Sequence, residues 1–368
     1  MNAFGTAVIG AGSLGLFTAL ELARRGEAVV VLDKGVPMRE ASGVNAGSLG
    51  VQNKLLPLVP MTMRALEAWS NAGALVGADV GYRRVGGLRL ATSEAEVAQL
   101  RKGFEAQRQV GVKLEWLDRA DVRQRAPYLS DDIAAATYCD ADSIADPLRL
   151  APALVGAARA AGIDLRGNTE VRAIRAEGGG FAIDVDGATV RSKRLLVAAG
   201  AWSASLCAHL GLRIPVALDV NIVSVTEPRP ALISEVVTHV RGILTLKQVT
   251  NGTILIGGGW QGHGELGSGE KSVTYESSVH NIRLATRMIP SLRHALLVRQ
   301  WAGFEGVSPD SLPYAGAIPG VSGAYVLACA RGGWTLAPEL GRLMSALMLG
   351  HGTGAELDAF RPERHAHL

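Results

Sequence analysis

The residues of this sequence best placed to do chemistry are three glycines in the run Gly10-Ala11-Gly12-Ser13-Leu14-Gly15. Their spacing suits a phosphate group. Gly10 permits a tight turn, Gly12 lets the backbone approach a pyrophosphate, and Gly15 allows the following helix to lie close on a sheet. Amide N–H groups at the start of that helix then face the phosphate charge. The apolar run Thr6 to Ile9 precedes the glycines and an Ala/Leu-rich stretch follows them to Arg25, where Gly26 ends it; Ala28 to Leu32 is a second apolar strand. Asp33 closes that strand 18 positions beyond Gly15, where a carboxylate accepts hydrogen bonds from a ribose and repels a 2′-phosphate. Strand, glycine turn, helix and strand with an acid at its end predict a dinucleotide-binding unit at the N-terminus.

The fingerprint alone leaves nicotinamide and flavin dinucleotides open. Two further segments point to flavin. Lys34 is followed by the small-residue loop Ala41-Ser42-Gly43-Val44-Asn45-Ala46-Gly47-Ser48-Leu49, through which an extended dinucleotide can pass. Far along the chain, Ala330-Arg331-Gly332-Gly333-Trp334-Thr335-Leu336-Ala337-Pro338 supplies a second helix N-terminus. It is suited to a flavin N1/O2 edge, where negative charge develops on reduction.

On these segments, together with Val171, Ala198-Ala199-Gly200-Ala201-Trp202, Trp301-Ala302-Gly303 and Pro309-Asp310-Ser311-Leu312-Pro313, the chain resembles the D-amino-acid oxidase type of flavoprotein, which includes glycine oxidase and sarcosine oxidase. The likeness runs nearly end to end. Its Asn45-to-Leu49 loop looks most like the β-subunits of opine oxidases, D-hydroxyproline dehydrogenases and hydrogen cyanide synthase. The resemblance implies FAD, held non-covalently, with Asp33 on the adenosine ribose and the Val171 backbone near adenine. It places Ser42 and Asn45, Ala46, Gly47, Ser48 and Leu49 near the pyrophosphate and isoalloxazine. Ala199, Gly200 and Trp202 are expected to line the cofactor, and Gly332, Gly333, Trp334 and Thr335 to meet the flavin ring. The implied reaction removes a hydride from the carbon beside an amine, delivers it to flavin N5 and leaves an imine that water hydrolyses. It is expected in a heteromeric dehydrogenase whose other subunits carry flavin or iron–sulfur centres. A self-sufficient oxidase producing peroxide and a non-catalytic dinucleotide-holding subunit are the alternatives.

Two departures from the family pattern bear on the substrate. Where glycine oxidase-like members read Trp-Ala-Gly-Leu-Arg and use the Arg for a substrate carboxylate, this chain has Trp301-Ala302-Gly303-Phe304-Glu305. Glu305 favours a cation, either a substrate amine or a guanidinium, although a structural pairing with Arg299 is an equal reading. The Gly-His-Gly-Gly type loop of the family is here Ala330-Arg331-Gly332-Gly333, so Arg331 either replaces the lost clamp or caps a neighbouring strand. Lys247 and Gln248, at the end of an expected strand, are candidate substrate contacts, with a solvated lysine as the alternative. Tyr82, Tyr275, Trp260 and His263 are further pocket candidates. No His or Cys spacing suits a metal, and none is expected.

The elements that must position these groups belong to two domains. Val171 to Gly200 reads as a meander ending in the apolar strand Leu195 to Gly200, which belongs in a sheet covered on both faces. Leu150 to Ala161 is helical in character, and Leu340, Leu343, Met344 and Leu347 mark one apolar helix face. Val216 to Val225, Gly242 to Leu246 and Thr253 to Gly257 are expected strands of another sheet. The reading is α/β (α+β overall): a Rossmann-type FAD-binding domain, discontinuous in sequence at 1–79, 145–210 and 306–368, and a mixed or antiparallel β-sheet substrate domain at 80–144 and 211–305. The tail after Gly350 is expected to be loosely ordered.

Composition narrows the function classes. Of 368 residues, 48% are hydrophobic and 19% charged, which excludes a disordered chain. The 45 glycines are about 12%, against roughly 7% ordinarily, and fit many turns and close approaches to a ligand. A net charge of +3 from scattered residues gives no footprint for nucleic acid. Cys139, Cys207 and Cys329 lie too far apart for a disulfide framework or cluster ligands, so a cytoplasmic setting is expected. Three charge-free stretches of membrane-spanning length are broken by glycine or proline and read as buried strand-loop segments.

Overall fold

In the computed structural model, residues 4–328, 331–352 and 354–365 are described. Cys329, and Ala330 at the head of the second glycine run, lie outside the described residues.

The strand Phe4–Ile9 pairs in parallel with Val29–Leu32 on one edge and Ala188–Val197 on the other. Asp164–Arg166 extends the sheet beyond Val29–Leu32. The long strand Ala188–Val197 divides its labour. Its first half closes the meander antiparallel to Gly180–Val185, while Leu195, Leu196 and Val197 run parallel to Ala324–Ala328. Both faces are covered, as the unbroken apolar runs require. Val8, Val31 and Leu196 face the helices Ser13–Arg24, Pro147–Ala160 and Gly333–Met348. Ala7, Ile9, Val30, Leu32, Leu195 and Val197 face Ser203–Ala208 and Tyr314.

The second sheet has the order Leu297–Val307, Ala217–Thr226, Ile254–Gly257, Thr245–Gln248, Val236–His239, Gly87–Ala91, Ala135–Cys139, Glu115–Asp118. It is mixed, because Val236–His239 runs parallel to Gly87–Ala91 while its other neighbours are antiparallel. Leu88, Leu90, Val237, Leu246 and Ile256 pack with Ala285 and Met288 of the helix Tyr275–Met288. The alternate residues Arg89, Thr238 and Thr245 line a cavity on the opposite face.

Element boundaries moved where caps intervened. The helix read from Leu150 begins at Pro147, because the Asp146 carboxylate accepts the Leu148 N–H at 2.9 Å and proline suits the first helical position. The described part of the tail is built into the fold, contrary to the sequence reading. Leu357 and Phe360 are buried in the first core, and Arg364 donates to the Asp310 carboxylate at 2.8 Å. Among the described residues, no helix is long and apolar enough to cross a membrane.

Candidate active site

The three N-terminal glycines meet different constraints. Gly10 has φ +107°, and a Cβ there would lie 2.4 Å from the Ala198 carbonyl oxygen. At Gly15 the Cβ would lie 2.0 Å from the Gly10 carbonyl oxygen, so helix and turn touch through backbone alone. At Gly12 the sole near neighbour is the Ser42 hydroxyl at 3.2 Å, and this glycine faces open space. The helix opening there has no side-chain cap of its own. Instead Ser42 Oγ accepts the Ser13 N–H at 2.9 Å from across the loop. The Asp33 carboxylate fastens the turn to the second strand, accepting the Ala11 N–H at 2.7 Å and the Gly35 N–H at 2.8 Å.

The small-residue loop is stiffened in the same way. Asn45 Oδ1 accepts the Gly47 N–H, and its Nδ2 donates to the Ser42 carbonyl, both at 2.7 Å. Gly47 has φ +76°, and its missing Cβ leaves room for the Ala145 carbonyl. Trp301 Nε1 donates to the Val44 carbonyl at 2.7 Å, strapping the second sheet onto this loop. Lys34 Nζ lies 3.7 Å from the ring centre of Trp202.

Between these walls runs a cavity of about 740 Å³. Gly10, Gly12, Asp33, Lys34, Val171, Ala199, Gly200 and Trp202 line it. Ser42, Asn45 to Ser48, Gly332 to Thr335, Asn221 and Glu305 line it as well. Ala11 and Leu49 stand behind this surface, both fully buried.

The whole arrangement matches known proteins. The family model described as FAD dependent oxidoreductase matches residues 6–347. The chain belongs to the FAD-dependent oxidoreductase family. It is 30% identical to a glycine oxidase of Geobacillus kaustophilus over 98% of this chain and 97% of that one. It is 29% identical to one of the subunits of the opine oxidase of Rhizobium meliloti, covering 88% of each. The solved structure of L-proline dehydrogenase from P. horikoshii superposes with a TM-score of 0.92 at 25% identity, covering 100% of this chain and 98% of that one.

The residues present fit FAD. The cavity is lined by Gly12, where a Cβ would narrow it, and by two helix N-termini, at Ser13 and Gly333, whose N–H groups suit phosphate and the flavin edge. Trp334 lines the cavity, and its buried Nε1 has no hydrogen-bond partner among the described residues. Trp69 braces that end, donating from Nε1 to the Thr335 carbonyl at 2.8 Å and lying 5.1 Å from the Trp334 ring.

Of Glu305, Arg331, Lys247 and Gln248, the structure brings Glu305 and Arg331 to the cavity of this flavoprotein. Glu305 lies opposite Asp219 across an antiparallel pair, an unfavourable meeting of like charges that is resolved by separate partners. Arg331 pairs with Asp219 of the strand Ala217–Thr226 and also lines the cavity. Glu305 Oε2 accepts Asn221 Nδ2 at 2.7 Å, and Oε1 lies 3.4 Å from the Gly332 N–H; no ion pair joins Glu305 to Arg299. Lys247 is neither solvated nor on the cavity wall. It is 2% exposed and donates to Ser48 Oγ at 2.6 Å, and burial lowers its pKa to about 7.

The other pocket candidates lie elsewhere. Gln248 is consumed by the backbone, accepting the Leu232 and Ile233 N–H groups and donating to three carbonyls. Tyr82 OH meets Ser143 Oγ at 3.3 Å, Trp260 stacks on His280, and Tyr275 and His263 face solvent. Sequence reasoning passed over Lys54, Arg89 and Asp142, which also line the cavity. The alternation Leu88-Arg89-Leu90 carried a signal, since it turns Arg89 away from the leucine core. Asp142 is buried, which raises its pKa to about 6 against the N–H of Val51 and the amide of Gln52 that it accepts.

Proposed function

We propose that this chain oxidises the carbon–nitrogen bond of an amino acid or secondary amine. Glu305 carries the reading. It is an acid on the cavity wall, beside the second helix N-terminus, with no cation paired to it among the described residues. An ammonium group placed against it gains a charge-assisted hydrogen bond, and Asn221 holds the carboxylate in position for it. Bound FAD supplies the hydride acceptor, taking the C–H electron pair from the carbon beside nitrogen. Glu305 takes the proton that the amine must lose, so that the products are imine and reduced cofactor, and water then converts the imine to a carbonyl compound and an amine. The walls from Trp202, Phe304 and Trp334 keep bulk water from the reacting carbon.

Electrons leave through partner subunits in this reading. The likeness to a protein named as one subunit of an opine oxidase supports it, and the chain has no paired cysteines to hold an iron–sulfur centre of its own. The likeness to glycine oxidases favours direct use of oxygen instead.

An anaerobic visible spectrum of the FAD-loaded chain, before and after a panel of amino acids and opines, tests the reaction. Bleaching of the flavin band by one amine class is the expected result. A flavin that no amine reduces, alone or with co-expressed partners, would sink the proposal. Admitting oxygen then separates the acceptors, since rapid peroxide formation by the isolated chain excludes dependence on partners.

A further inference from the structure

We infer that Arg89 and Lys54 form the anion-binding pole of this cavity and hold the carboxylate of an amino-acid substrate whose amine is held by Glu305; this rests on the reaction proposed above. An acid at position 305 repels a carboxylate brought beside it, so a substrate carboxylate needs cations elsewhere in the same cavity. Four cations line it: Lys34 lies over the Trp202 ring and Arg331 pairs with Asp219, whereas Lys54 and Arg89 are short of acidic partners.

Lys54 Nζ has no hydrogen-bond or ion-pair partner among the described residues. It lies 2.0 Å from where a Cβ on Gly332 would stand, next to the glycine whose N–H approaches Glu305. Crowding by the surrounding protein lowers its pKa to about 8, with Glu305 and Asp142 pulling the other way from beyond ion-pair distance. Such a site welcomes a further negative charge.

Arg89 is better fixed. Its Nη1 donates to the Gln52 carbonyl and its Nη2 to the Val240 carbonyl, both at 2.8 Å. Carbonyls orient a guanidinium without neutralising it. Its Nε is buried with no partner, and no carboxylate lies within 4 Å among the described residues. Asp142, the acid that acts on it electrostatically, already accepts from Val51 and Gln52. Two cations therefore share one buried acid on their wall. A guanidinium brought into a cavity in this way is costly unless a ligand brings the missing charge. Its planar fork matches a carboxylate, and the ammonium of Lys54 adds a point charge.

The cavity thus carries cations from Gly87–Ala91 and from the segment after the small-residue loop, together with an acid from Leu297–Val307. It selects zwitterionic amino acids, including N-substituted ones, over the corresponding amines.

The test uses the FAD-loaded chain and the variants Lys54→Met, Arg89→Met and Arg89→Lys, with the flavin spectrum and melting temperature as folding controls. Benzoate and acetate are titrated while perturbation of the flavin band is followed, and anaerobic flavin reduction is compared for proline and pyrrolidine. Carboxylate Kd is expected to rise roughly 10- to 100-fold in Lys54→Met and Arg89→Met, with Arg89→Lys between, and the proline-to-pyrrolidine rate ratio is expected to fall in parallel. Carboxylates that fail to bind the unaltered chain, or bind the variants equally well, overturn the inference. If carboxylates bind as expected while no amine reduces the flavin, the anion pole stands and the amine-oxidation reading fails.

Discussion

Lys247 reaches from the second sheet to donate a hydrogen bond to Ser48, joining a buried ammonium to the loop on which the cofactor is expected to rest. Burial alone takes its pKa from 10.5 to about 7. Between those values the folded chain binds fewer protons at this site than the unfolded chain, so its contribution makes stability rise with pH across that window. Lys247→Met removes the buried charge at similar volume. Urea unfolding at pH 7 and pH 9.5 is expected to show a rise in the unaltered chain that the variant lacks, on the order of a few kcal/mol. Equal slopes in the two proteins would mean that the ammonium is not desolvated.

Two glycine-to-alanine changes should act in opposite directions. Gly15→Ala puts a Cβ against the Gly10 carbonyl and is expected to cost both FAD retention and several degrees of melting temperature. Gly156→Ala lies on the exposed side of the helix Pro147–Ala160 with nothing within 4 Å, and should stabilise by up to about 1 kcal/mol. The flavin-to-protein ratio after purification and a thermal melt check both.

Glu305→Gln keeps the shape of the side chain and removes its charge. The amine loses both its counter-charge and its proton acceptor, so KM for amine substrates should rise roughly 10- to 100-fold and the rate of flavin reduction should fall. Single-turnover reduction under anaerobic conditions measures each effect separately. Unchanged affinity and unchanged reduction together would exclude Glu305 from the reaction.

Asp310 ties the C-terminal turn Pro362–His365 to the body of the fold. Burial would raise its pKa, but the hydrogen bonds from Arg364, the Leu312 N–H and Ser308 prevail and hold it well below the usual carboxylate range. A carboxylate depressed in this way contributes stability above the unfolded pKa and loses it as pH falls toward the folded value. Asp310→Asn should therefore cost about 1 to 2 kcal/mol at pH 7 and flatten the loss between pH 4 and pH 2, measured by denaturant midpoint.

The elements suited to phosphate were legible in the sequence because their chemistry is local. A glycine turn between a strand and a helix announces itself within thirty residues, and so does an acid at the next strand's end. Leu195 to Val197 was legible as a central strand because both its faces had to be apolar. Lys247 was misplaced because its strand register says which face it leaves by, while the Ser48 loop that buries it comes from far away in sequence. Lys54 escaped notice for the same reason, being an ordinary lysine until Gly332 arrives beside it. The tail was misjudged because Leu357 and Phe360 find their apolar surface on elements that local composition does not reveal.

The helix Gly333–Met348 lies across Ser13–Arg24 so closely that Gly341 meets the backbone of Phe17. In time, this means that the helix Ser13–Arg24 is made long before the helix that covers it. Leu16, Phe17 and Leu20 are covered by Leu340, Leu343 and Met344, so they have no native neighbours there while most of the chain is still being made. Cofactor capture is then a late event of biosynthesis, and a ribosome stalled before Gly333–Met348 is made should hold a chain that keeps no flavin and engages chaperones through that uncovered face.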